Sequence, residues 1–337
     1  MRLSACTEIL EVFARFLRRI FNSHYMFEKD VKLSAYSNYK IGGTASYFFE
    51  AVSVNDIVEA LKHWGKIKDS EKNIFILGGG TNLLINDSGF SGLVIKTAMK
   101  NIHREGENIR AGAGVLMNDL LEFASEEGLS GLEWAGGLPG TLGGAIRGNA
   151  GAFGGEIKDS VLEVLSLNTS GGGSKIVKRD KSGCLFSYRD SIFKQRNGQE
   201  IILEAALALK AGDKSAIKDA ILEKINFRHT RHPMDYPNIG SIFKNVDYCK
   251  FKKLWQRDLK HVVKADPFPV VPTAYLLSEC GLKGVAFGGA MISPKHPNFI
   301  VNVLSASSED VKSLIELAKF EVSKKFGILL EEEIIYL

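Results

Sequence analysis

Two glycine-rich segments carry the clearest chemical signal in this chain of 337 residues. The first is Gly78-Gly79-Gly80-Thr81-Asn82, which follows the apolar run 73–77. Consecutive glycines let several backbone N–H groups point at one anion, as in the backbone nests that bind phosphates. The segment lacks the Lys-Ser/Thr ending of a P-loop and the spacing of a Rossmann fingerprint. Taken alone, it is equally compatible with a tight turn between two strands.

The second segment is 136–155, in which nine of twenty residues are glycine. Glycine loses more backbone freedom on folding than any other residue, so this density indicates positive φ angles or bare backbone close to a ligand. A flexible linker is the alternative, but linkers favour Ser and charge, whereas apolar residues alternate with these glycines. The two segments together could hold one long ligand from both sides, and a dinucleotide has that length and a diphosphate.

Composition excludes several other classes of protein. The chain is 45% hydrophobic and 24% charged with a net charge of +4, which is not the strongly basic surface of a dedicated nucleic-acid binder but suits an anionic substrate. No apolar run approaches the ~20 residues of a membrane span. The cysteines lie far apart without a CxxC pair, and we expect free thiols in a reducing, cytoplasmic compartment; they are Cys6, Cys184, Cys249 and Cys280.

Two further patterns are given no role in the chemistry. His229-x-x-His232 could suggest a metal site, but other ligands at suitable spacing are missing, so no metal is expected. The basic stretch 250–264, which includes Trp255, could contact a diphosphate or nucleic acid; a solvated basic helix is favoured. Residues 1–25 have apolar residues at helical spacing, and we expect this extension to pack onto the body of the protein rather than on a membrane.

Regular elements flank both glycine-rich segments and divide the rest of the chain into units at 26–97, 98–212 and 213–337. Ser53 and Asp56 form a capping-box pair ahead of an apolar helical stripe, and 73–77 reads as a buried strand. The pattern predicts further elements: a helix at 116–127, strands at 161–168 and 200–210 with a hairpin turn at 170–173 between them, a helix at 215–228, a loop at 236–245, a basic helix at 250–264, a helix capped by Ser307 and Asp310 and ended by Gly327, and a strand at 328–337.

Eight segments, in this order, resemble the bacterial UDP-N-acetylenolpyruvoylglucosamine reductases, flavoenzymes of cell-wall precursor synthesis. The resemblance covers the chain from about residue 30 onward. The segments are Asn38-Tyr-Lys-Ile-Gly-Gly43, Leu77-Gly-Gly-Gly-Thr-Asn-Leu-Leu84, Gly131-Leu-Glu-Trp-Ala-Gly-Gly-Leu-Pro-Gly-Thr-Leu-Gly-Gly144, Asn149-Ala-Gly-Ala-Phe-Gly154, Ser187-Tyr-Arg-Asp-Ser191, Gly240-Ser-Ile-Phe-Lys-Asn245, Lys295-His-Pro-Asn-Phe-Ile-Val-Asn302 and Phe326-Gly-Ile with the Glu-rich run after it.

The resemblance implies an α+β protein: a two-subdomain FAD-binding fold of the vanillyl-alcohol-oxidase-like type at 26–97 and 98–212, and an α+β substrate-binding domain at 213–337 that carries a catalytic C-terminal strand. It implies non-covalent FAD between the two glycine-rich segments. The residues expected at the cofactor are Gly78, Gly79, Gly80, Thr81, Asn82, Leu83, Ala135, Gly136, Pro139, Gly140, Thr141, Gly144, Ala145, Asn149, Ala150 and Gly151.

The resemblance also implies three catalytic residues. Arg189 would engage the substrate carboxylate through its planar fork, although a salt bridge to Asp190 or a neighbour is the competing structural interpretation. Ser241 would donate the proton, although a turn serine that caps local backbone is the alternative. Glu333 would polarise the enol or take part in a proton relay; Glu331 and Glu332 leave its register open, and a solvated acidic strand is the alternative.

The activity implied is the NADPH-dependent reduction of UDP-N-acetylglucosamine enolpyruvate to UDP-N-acetylmuramate. Hydride would pass from NADPH to FAD and from flavin N5 to the enolpyruvyl CH2 carbon, and Ser241 would protonate the adjacent carbon. The partner is a small nucleotide sugar, without nucleic acid or membrane, and a monomer is expected. Two alternatives stay open: an FAD-dependent oxidase or dehydrogenase of the same fold, and a protein that binds flavin or a UDP-sugar without turnover.

Overall fold

The computed structural model describes residues 27–68, 72–265 and 268–337. The helix expected within residues 1–25 lies outside this part. The first of three regions contains a helix, α1 (Val54–Lys66), and a parallel-centred sheet. The strands of this region are β1 (Glu28–Lys32), β2 (Thr44–Ala51), β3 (Ile74–Leu77), β4 (Leu83–Leu84) and β5 (Phe90–Thr97).

The sheet order β1-β2-β5-β3 makes β2, β5 and β3 parallel neighbours, with β1 antiparallel at the edge. The predicted capping box of α1 is confirmed, because Ser53 Oγ accepts from Asp56 N and the Asp56 carboxylate accepts from Ser53 N. The helix buries Ile57, Ala60 and Trp64. The strand predicted at 73–77 is β3, and the first glycine-rich segment begins at its carboxyl end.

The second region is built on a five-stranded antiparallel sheet with the order β12-β11-β13-β7-β6. Its strands are β6 (Ile102–Glu105), β7 (Asn108–Gly112), β8 (Leu129–Ser130), β9 (Gly151–Ala152), β10 (Gly155–Glu156), β11 (Val161–Asn168), β12 (Lys175–Asp180), β13 (Glu200–Ala208) and β14 (Lys210–Ala211). Its helices are α2 (Met117–Glu126), α3 (Leu142–Arg147), α4 (Ile157–Ser160) and α5 (Ile192–Gln195).

Two predictions for this region need correction. The turn at 170–173 joins β11 to β12, a strand that the sequence pattern missed, and not β11 to β13. Strand β12 lies at the edge of the sheet and carries exposed charged residues. Such a sequence resembles that of a loop, so the pattern did not predict a strand. The glycine-dense segment is not all loop either, since it contains α3, whose first turn is capped by Thr141 Oγ1 accepting from Gly144 N.

The third region begins with α6 (Lys214–Arg231), close to the helix predicted at 215–228. Its other helices are α7 (Lys253–Leu259), α8 (Thr273–Glu279) and α9 (Ser308–Phe326). Its strands are β15 (Val246–Asp247), β16 (Val270–Val271), β17 (Ala286–Phe287), β18 (Ala290–Ile292), β19 (Ile300–Asn302) and β20 (Ile335–Tyr336). The predicted caps of α9 are confirmed: a Ser307–Asp310 capping box at its start and Gly327 in the left-handed region (φ 68°) at its end.

Two predictions here are too long. The basic helix expected at 250–264 is only α7 with short 3-10 turns on either side, because Phe251 is extended and turns its ring into the core. The strand expected at 328–337 is only β20, which runs parallel to β4 of the first region. The residues before β20 pair with 242–244 through single backbone hydrogen bonds instead of a ladder.

The mixed helix and sheet architecture confirms the α+β expectation. One apolar cluster joins α1 and the first sheet to the second region, and another fills the third region between α9 and β18–β19. Among the described helices, none has an apolar stretch long enough to cross a bilayer.

Candidate active site

The two glycine-rich segments lie directly against each other. A Cβ atom on Gly79 would lie 2.8 Å from Cα of Gly140, and one on Gly140 would lie 2.8 Å from Oγ1 of Thr81. Gly140 also has a φ of +113°, which L side chains rarely adopt. The contact therefore requires glycine at both positions. That FAD lies between the two segments stays a prediction.

Gly80 shows how tightly the first segment is held. Its φ is +64°, and a Cβ atom there would lie 1.9 Å from the carbonyl oxygen of Tyr36. Its own carbonyl accepts from Asn38 N at 3.0 Å. The segment is thus fixed by backbone contacts to the turn that precedes β2.

A cleft of about 360 Å³ opens beside this contact. It is lined by Gly78, Gly79 and Thr141 together with the turn at 35–38 and residues around 96–100 and 114–116. Lysine side chains at 40, 96 and 100 add positive charge, and Lys96 Nζ lies 3.1 Å from the Glu50 carboxylate. Bare backbone and ammonium groups around one cleft fit the diphosphate of a dinucleotide such as FAD.

The other residues expected at the cofactor fall into two groups. Some are parts of the scaffold: Leu83 in β4, Ala135 in a 3-10 turn, Gly144 and Ala145 in α3, exposed Pro139, and Ala150, whose N–H donates to the Ala145 carbonyl at 2.8 Å. The others connect the glycine-rich segments to neighbouring elements: Asn82, Gly136, Asn149 and Gly151.

Asn149 is fully buried, and its side chain is used within the protein. Its Nδ2 donates to the Ser187 carbonyl at 2.8 Å and to Glu156 Oε1 at 3.2 Å, while its Oδ1 accepts from Lys158 N at 3.3 Å. The residue has a φ of 42°, in the left-handed region that Asn tolerates. Its side chain therefore positions the Ser187–Ser191 turn, a task that sequence reasoning did not assign to it.

That turn holds Arg189 in a left-handed conformation, with a φ of 56°. Ser187 and Asp190 exchange backbone hydrogen bonds of 3.1 and 3.2 Å across it. The guanidinium Nη2 donates to the Gly151 carbonyl at 2.8 Å, and Nε lies 2.8 Å from Oε1 of Glu333. The Nε–H bond does not point along this line, so the Glu333 contact is an ion pair rather than an aligned hydrogen bond.

The competing interpretation of a salt bridge between Arg189 and Asp190 does not match the structure. Asp190 Oδ2 accepts from Gln195 Nε2 at 2.8 Å, and the partner of Arg189 is Glu333, far along the chain.

The three consecutive glutamates separate cleanly. Glu332 pairs with Lys319 of α9 and accepts a hydrogen bond from the hydroxyl of Tyr336 in β20. Glu331 pairs with Lys244. Glu333 is 22% exposed and is the one that reaches Arg189. Burial raises the pKa of Glu333 above its ordinary value, and the charges of Arg189, Lys194 and Lys244 pull that pKa back down. Burial and the nearby cations therefore act in opposite directions on the pKa of this carboxyl group.

Ser241 lies next to Glu333 because the segments that carry them are paired. Glu333 N donates to the Ile242 carbonyl at 2.8 Å, and Lys244 N donates to the Glu331 carbonyl at 2.9 Å. Asn298 fixes the Ser241 side of this pair, since its side chain accepts from Phe243 N and donates to the Phe243 carbonyl. Among the described residues, Ser241 Oγ has no hydrogen-bond partner. The structure thus brings the side chains of Arg189 and Glu333 together and pairs the backbone beside Ser241 with that of Glu333, while the roles of the three residues stay predictions.

Sequence reasoning missed three residues at this centre. Lys194, in α5, donates through Nζ to the Arg189 carbonyl at 2.9 Å, and burial lowers its pKa. The hydroxyl of Tyr188 accepts from Asn245 N at 3.3 Å, and its ring lies 5.3 Å from the Arg189 guanidinium. Tyr188 and Asn245 stand in segments already singled out by resemblance, but no spacing rule marks Lys194.

The histidine pair does not form a metal site with its neighbours. The ring of His232 meets that of His296 edge to face, with centroids 5.2 Å apart. Burial lowers the pKa of both side chains to about 4. Within the part of the chain that the structure describes, no three His, Cys, Asp or Glu side chains are grouped to hold a metal ion. The cysteines in that part, Cys184, Cys249 and Cys280, are unpaired.

Two family models match parts of this chain. Residues 45–175 match the FAD binding domain family, and residues 232–337 match the C-terminal domain of UDP-N-acetylenolpyruvoylglucosamine reductase. Curated UDP-N-acetylenolpyruvoylglucosamine reductases include one from Solibacter usitatus, 34% identical over 90% of this chain and 94% of its own length, and one from Caldicellulosiruptor bescii, 36% identical over 93% and 91%.

A solved structure extends the likeness to three dimensions. It is the UDP-N-acetylenolpyruvylglucosamine reductase of Thermus caldophilus, with a TM-score of 0.70 and 28% identity over 92% of this chain and 98% of that one. Sequence relatives, domain matches and a solved structure thus agree over almost the whole length. The chain belongs to the UDP-N-acetylenolpyruvoylglucosamine reductase family.

Proposed function

We propose that this chain reduces UDP-N-acetylglucosamine enolpyruvate to UDP-N-acetylmuramate, with NADPH as electron donor and non-covalently bound FAD. Family membership supports the reaction. The observation that carries the proposal for this chain is the convergence of Arg189 and Glu333 at the edge of the FAD-binding segments. Asn82 donates to the Glu333 carbonyl at 3.0 Å, and Arg189 donates to the Gly151 carbonyl at 2.8 Å.

The residues that would hold FAD are the backbone of 78–82 and the facing backbone of 139–141, with the lysines of the cleft nearby. The chemistry that FAD supplies when bound is transfer of a hydride from NADPH to the double bond of the substrate. The protein contributes a binding site for the diphosphate and side chains that stabilise the charge that develops on the substrate.

Arg189 would bind the substrate carboxylate, toward which negative charge moves during the reduction. A planar guanidinium offers two parallel N–H groups to a carboxylate, and such donors are most effective where charge grows in the transition state. The ion pair with Glu333 and the hydrogen bond to Gly151 fix the fork in place before substrate arrives.

Ser241 would give its hydroxyl proton to the carbon next to the one that is reduced. A hydroxyl is a weak acid, but the carbon is strongly basic once negative charge develops there. Glu333, in the paired segment, would polarise the enol ether; burial raises the pKa of its carboxyl group, and the charge of Arg189 opposes that rise. The backbone pairing of the 241–243 and 331–333 segments supports both assignments.

The experiment is an anaerobic stopped-flow measurement of the flavin absorbance of the purified enzyme. NADPH should bleach the flavin band, and UDP-N-acetylglucosamine enolpyruvate should restore it. If only oxygen restores the band, the chain is an oxidase of the same fold and the proposed substrate is wrong. If the enzyme binds substrate but NADPH does not bleach the flavin, the chain is a binding protein.

Replacement of Ser241 by alanine tests the proton donor within the same experiment. We expect bleaching by NADPH at the wild-type rate and a return of the band that is about 10²–10⁴-fold slower, the usual contribution of a positioned acid. Ser182→Ala, a matched change in an exposed turn of the second region, should leave both phases unchanged. An unchanged second phase in Ser241→Ala would remove the serine from the mechanism.

We further propose 26–97 and 98–212 as the FAD-binding subdomains and 213–337 as the substrate-binding domain. The division is supported by the separate four-stranded and five-stranded sheets of the first two regions and the three-stranded sheet of the third. We propose a monomer, since the three candidate catalytic residues come from one chain, and a cytoplasmic protein, in keeping with its unpaired thiols. The partner would be a nucleotide sugar, without nucleic acid or membrane. Size-exclusion chromatography with light scattering would test the oligomeric state.

A further inference from the structure

The segment 246–271, which contains α7, leaves and rejoins the fold at the candidate active site. It begins directly after Asn245 and ends at Thr273, whose Oγ1 donates to the Lys244 carbonyl at 2.6 Å and whose N–H donates to Asn245 Oδ1 at 3.2 Å. Strands β15 and β16 pair across its base, with Val246 opposite Val271. Both ends of the segment therefore adjoin residues 241–245, which include Ser241.

Within its described residues, 246–265 and 268–271, the segment packs against the apolar core of the third region. Phe251 and Leu259 are buried in the apolar cluster of the third region. The ring of Trp255 lies 4.7 Å from that of Phe326 at the end of α9. Such a segment can hold a side chain in a fixed place over the site.

Phe268 is the side chain that the segment presents to the reacting centre. Its ring meets that of Tyr188 edge to face, with centroids 5.3 Å apart and planes at 84°. Its backbone is set by Lys264 and Val270, which exchange hydrogen bonds of 2.9 and 2.8 Å, and by Tyr248 N, which donates to the Pro269 carbonyl at 2.9 Å. Edge-to-face aromatic pairs prefer this geometry, so the contact fixes the orientation of the Tyr188 ring.

Tyr188 transmits that orientation to Arg189. The guanidinium lies 5.3 Å from the centroid of the Tyr188 ring, within reach of a cation–π interaction, and the two residues are adjacent in a turn with a left-handed Arg189. A second contact fixes the other end of the ring, where its hydroxyl accepts from Asn245 N. Phe268, Tyr188 and Arg189 thus form a chain of side-chain contacts from the segment to the proposed carboxylate-binding guanidinium.

We propose that Phe268 is a positioning residue that orients Arg189 through Tyr188 for the reaction proposed above. The inference rests on that proposed function. It assigns a role to the segment 246–271, which includes the stretch 250–264 that sequence analysis favoured as a solvated basic helix. Because a displacement of about 1 Å at a reacting group can cost about 10²-fold in rate, a ring that contacts the neighbour of Arg189 is sufficient to matter.

The test compares Phe268→Ala with Phe268→Tyr, which keeps the ring, and with Phe320→Ala, a matched change at a ring of α9 that is 61% exposed. In stopped flow, Phe268→Ala should slow the return of the flavin band with the enolpyruvyl substrate by about 10–100-fold, while FAD content and bleaching by NADPH stay at wild-type values. Phe268→Tyr and Phe320→Ala should behave as wild type.

Coupling distinguishes positioning through Tyr188 from a general structural effect. The double variant Tyr188→Ala/Phe268→Ala should be no slower than Tyr188→Ala alone, because residues acting through one another are not additive. A ¹⁹F spectrum of the fluorotyrosine-labelled protein gives a readout independent of turnover: the Tyr188 resonance should move in Phe268→Ala and stay in Phe320→Ala.

Wild-type rates in Phe268→Ala, or effects of the two alanine changes that multiply, would overturn the inference. Failure of the proposed function is seen separately, as wild-type enzyme that its enolpyruvyl substrate does not reoxidise.

Discussion

The proposed cofactor cradle and the proposed reacting centre are built on opposite principles. The cradle consists of the facing backbone of 78–82 and 139–141, where Cβ atoms would collide. The reacting centre consists of side chains at 189, 241 and 333, carried by segments with little regular structure. Backbone cradles depend on local composition, whereas side-chain centres depend on pairings between distant parts of the chain.

Hydrogen bonds connect the two sites. Asn82 Nδ2 donates to the Glu333 carbonyl, and Arg189 Nη2 donates to the Gly151 carbonyl. In each contact, one partner comes from a glycine-rich segment and the other from the reacting centre. A change in one site should therefore affect its own half of the reaction most strongly, and variants can measure how separate the two are.

Arg189→Lys should give the largest effect and should break the reacting centre alone. Lysine has no planar fork, so it cannot serve Glu333, Gly151 and a carboxylate together. We expect reoxidation of the flavin by the enolpyruvyl substrate to fall by about 10²–10³-fold, the usual loss of one electrostatic donor, with FAD content unchanged. Arg110→Lys is the matched control, since Arg110 pairs with three carboxylates on the second sheet.

A loss of FAD or an equal slowing of reduction by NADPH in Arg189→Lys would show that the two sites are not separable. Stopped-flow traces of each half-reaction and the ratio of flavin to protein absorbance decide between these outcomes.

Gly80→Ala should break the cradle alone, with an intermediate effect. Gly80 and Gly106 share a φ of +64°, but a Cβ on Gly80 would lie 1.9 Å from the Tyr36 carbonyl oxygen, whereas one on Gly106 has nothing within 4 Å. Gly106→Ala should cost about 1–2 kcal/mol for the backbone angle, a fall of about 2–4 °C in Tm. Gly80→Ala should lower Tm further and reduce FAD content.

Thermal unfolding and flavin titration measure both variants. Equal Tm and equal FAD affinity in Gly80→Ala and Gly106→Ala would mean that the close approach to Tyr36 does not shape the cradle.

Lys194→Met should give the smallest effect on the rate of flavin reoxidation. It tests how charge near the proposed reacting centre sets the pKa of Glu333. The Lys194 ammonium favours the ionised form of Glu333, so its removal raises the pKa of Glu333 further. In a pH–rate profile of the reoxidation phase, the limb that disappears in Glu333→Gln should move to higher pH. Lys62→Met, an exposed lysine of α1, is the control. A limb that stays in place or moves to lower pH would contradict the assignment.

What sequence could predict follows the same division. The capping boxes at Ser53 and Ser307 and the end of α9 at Gly327 are local features, and all are confirmed. Edge strand β12 and helix α3 were missed, because exposed charges hide the first and glycines disfavour the second. The residue-by-residue cofactor and catalytic assignments stay predictions.

The parts that sequence could not predict are those that depend on distant pairing. The partner of Arg189 is Glu333 rather than the adjacent Asp190, and only the fold makes that choice. Lys194 reaches the Arg189 carbonyl because α5 packs behind the turn, and a single lysine in a short helix carries no motif. Resemblance located the candidate centre, whereas spacing alone favoured bland interpretations for all three of its residues.

The bond from Asn82 to Glu333 and the pairing of β4 with β20 have a consequence for biosynthesis. They join positions 251 residues apart. At about 5–20 residues per second of translation, the Gly78–Asn82 segment leaves the ribosome roughly 12–50 seconds before its last partners. During that interval the nascent cofactor loop has an unpaired edge at β4, which makes it a point where chaperones or early flavin capture would decide the yield of active enzyme.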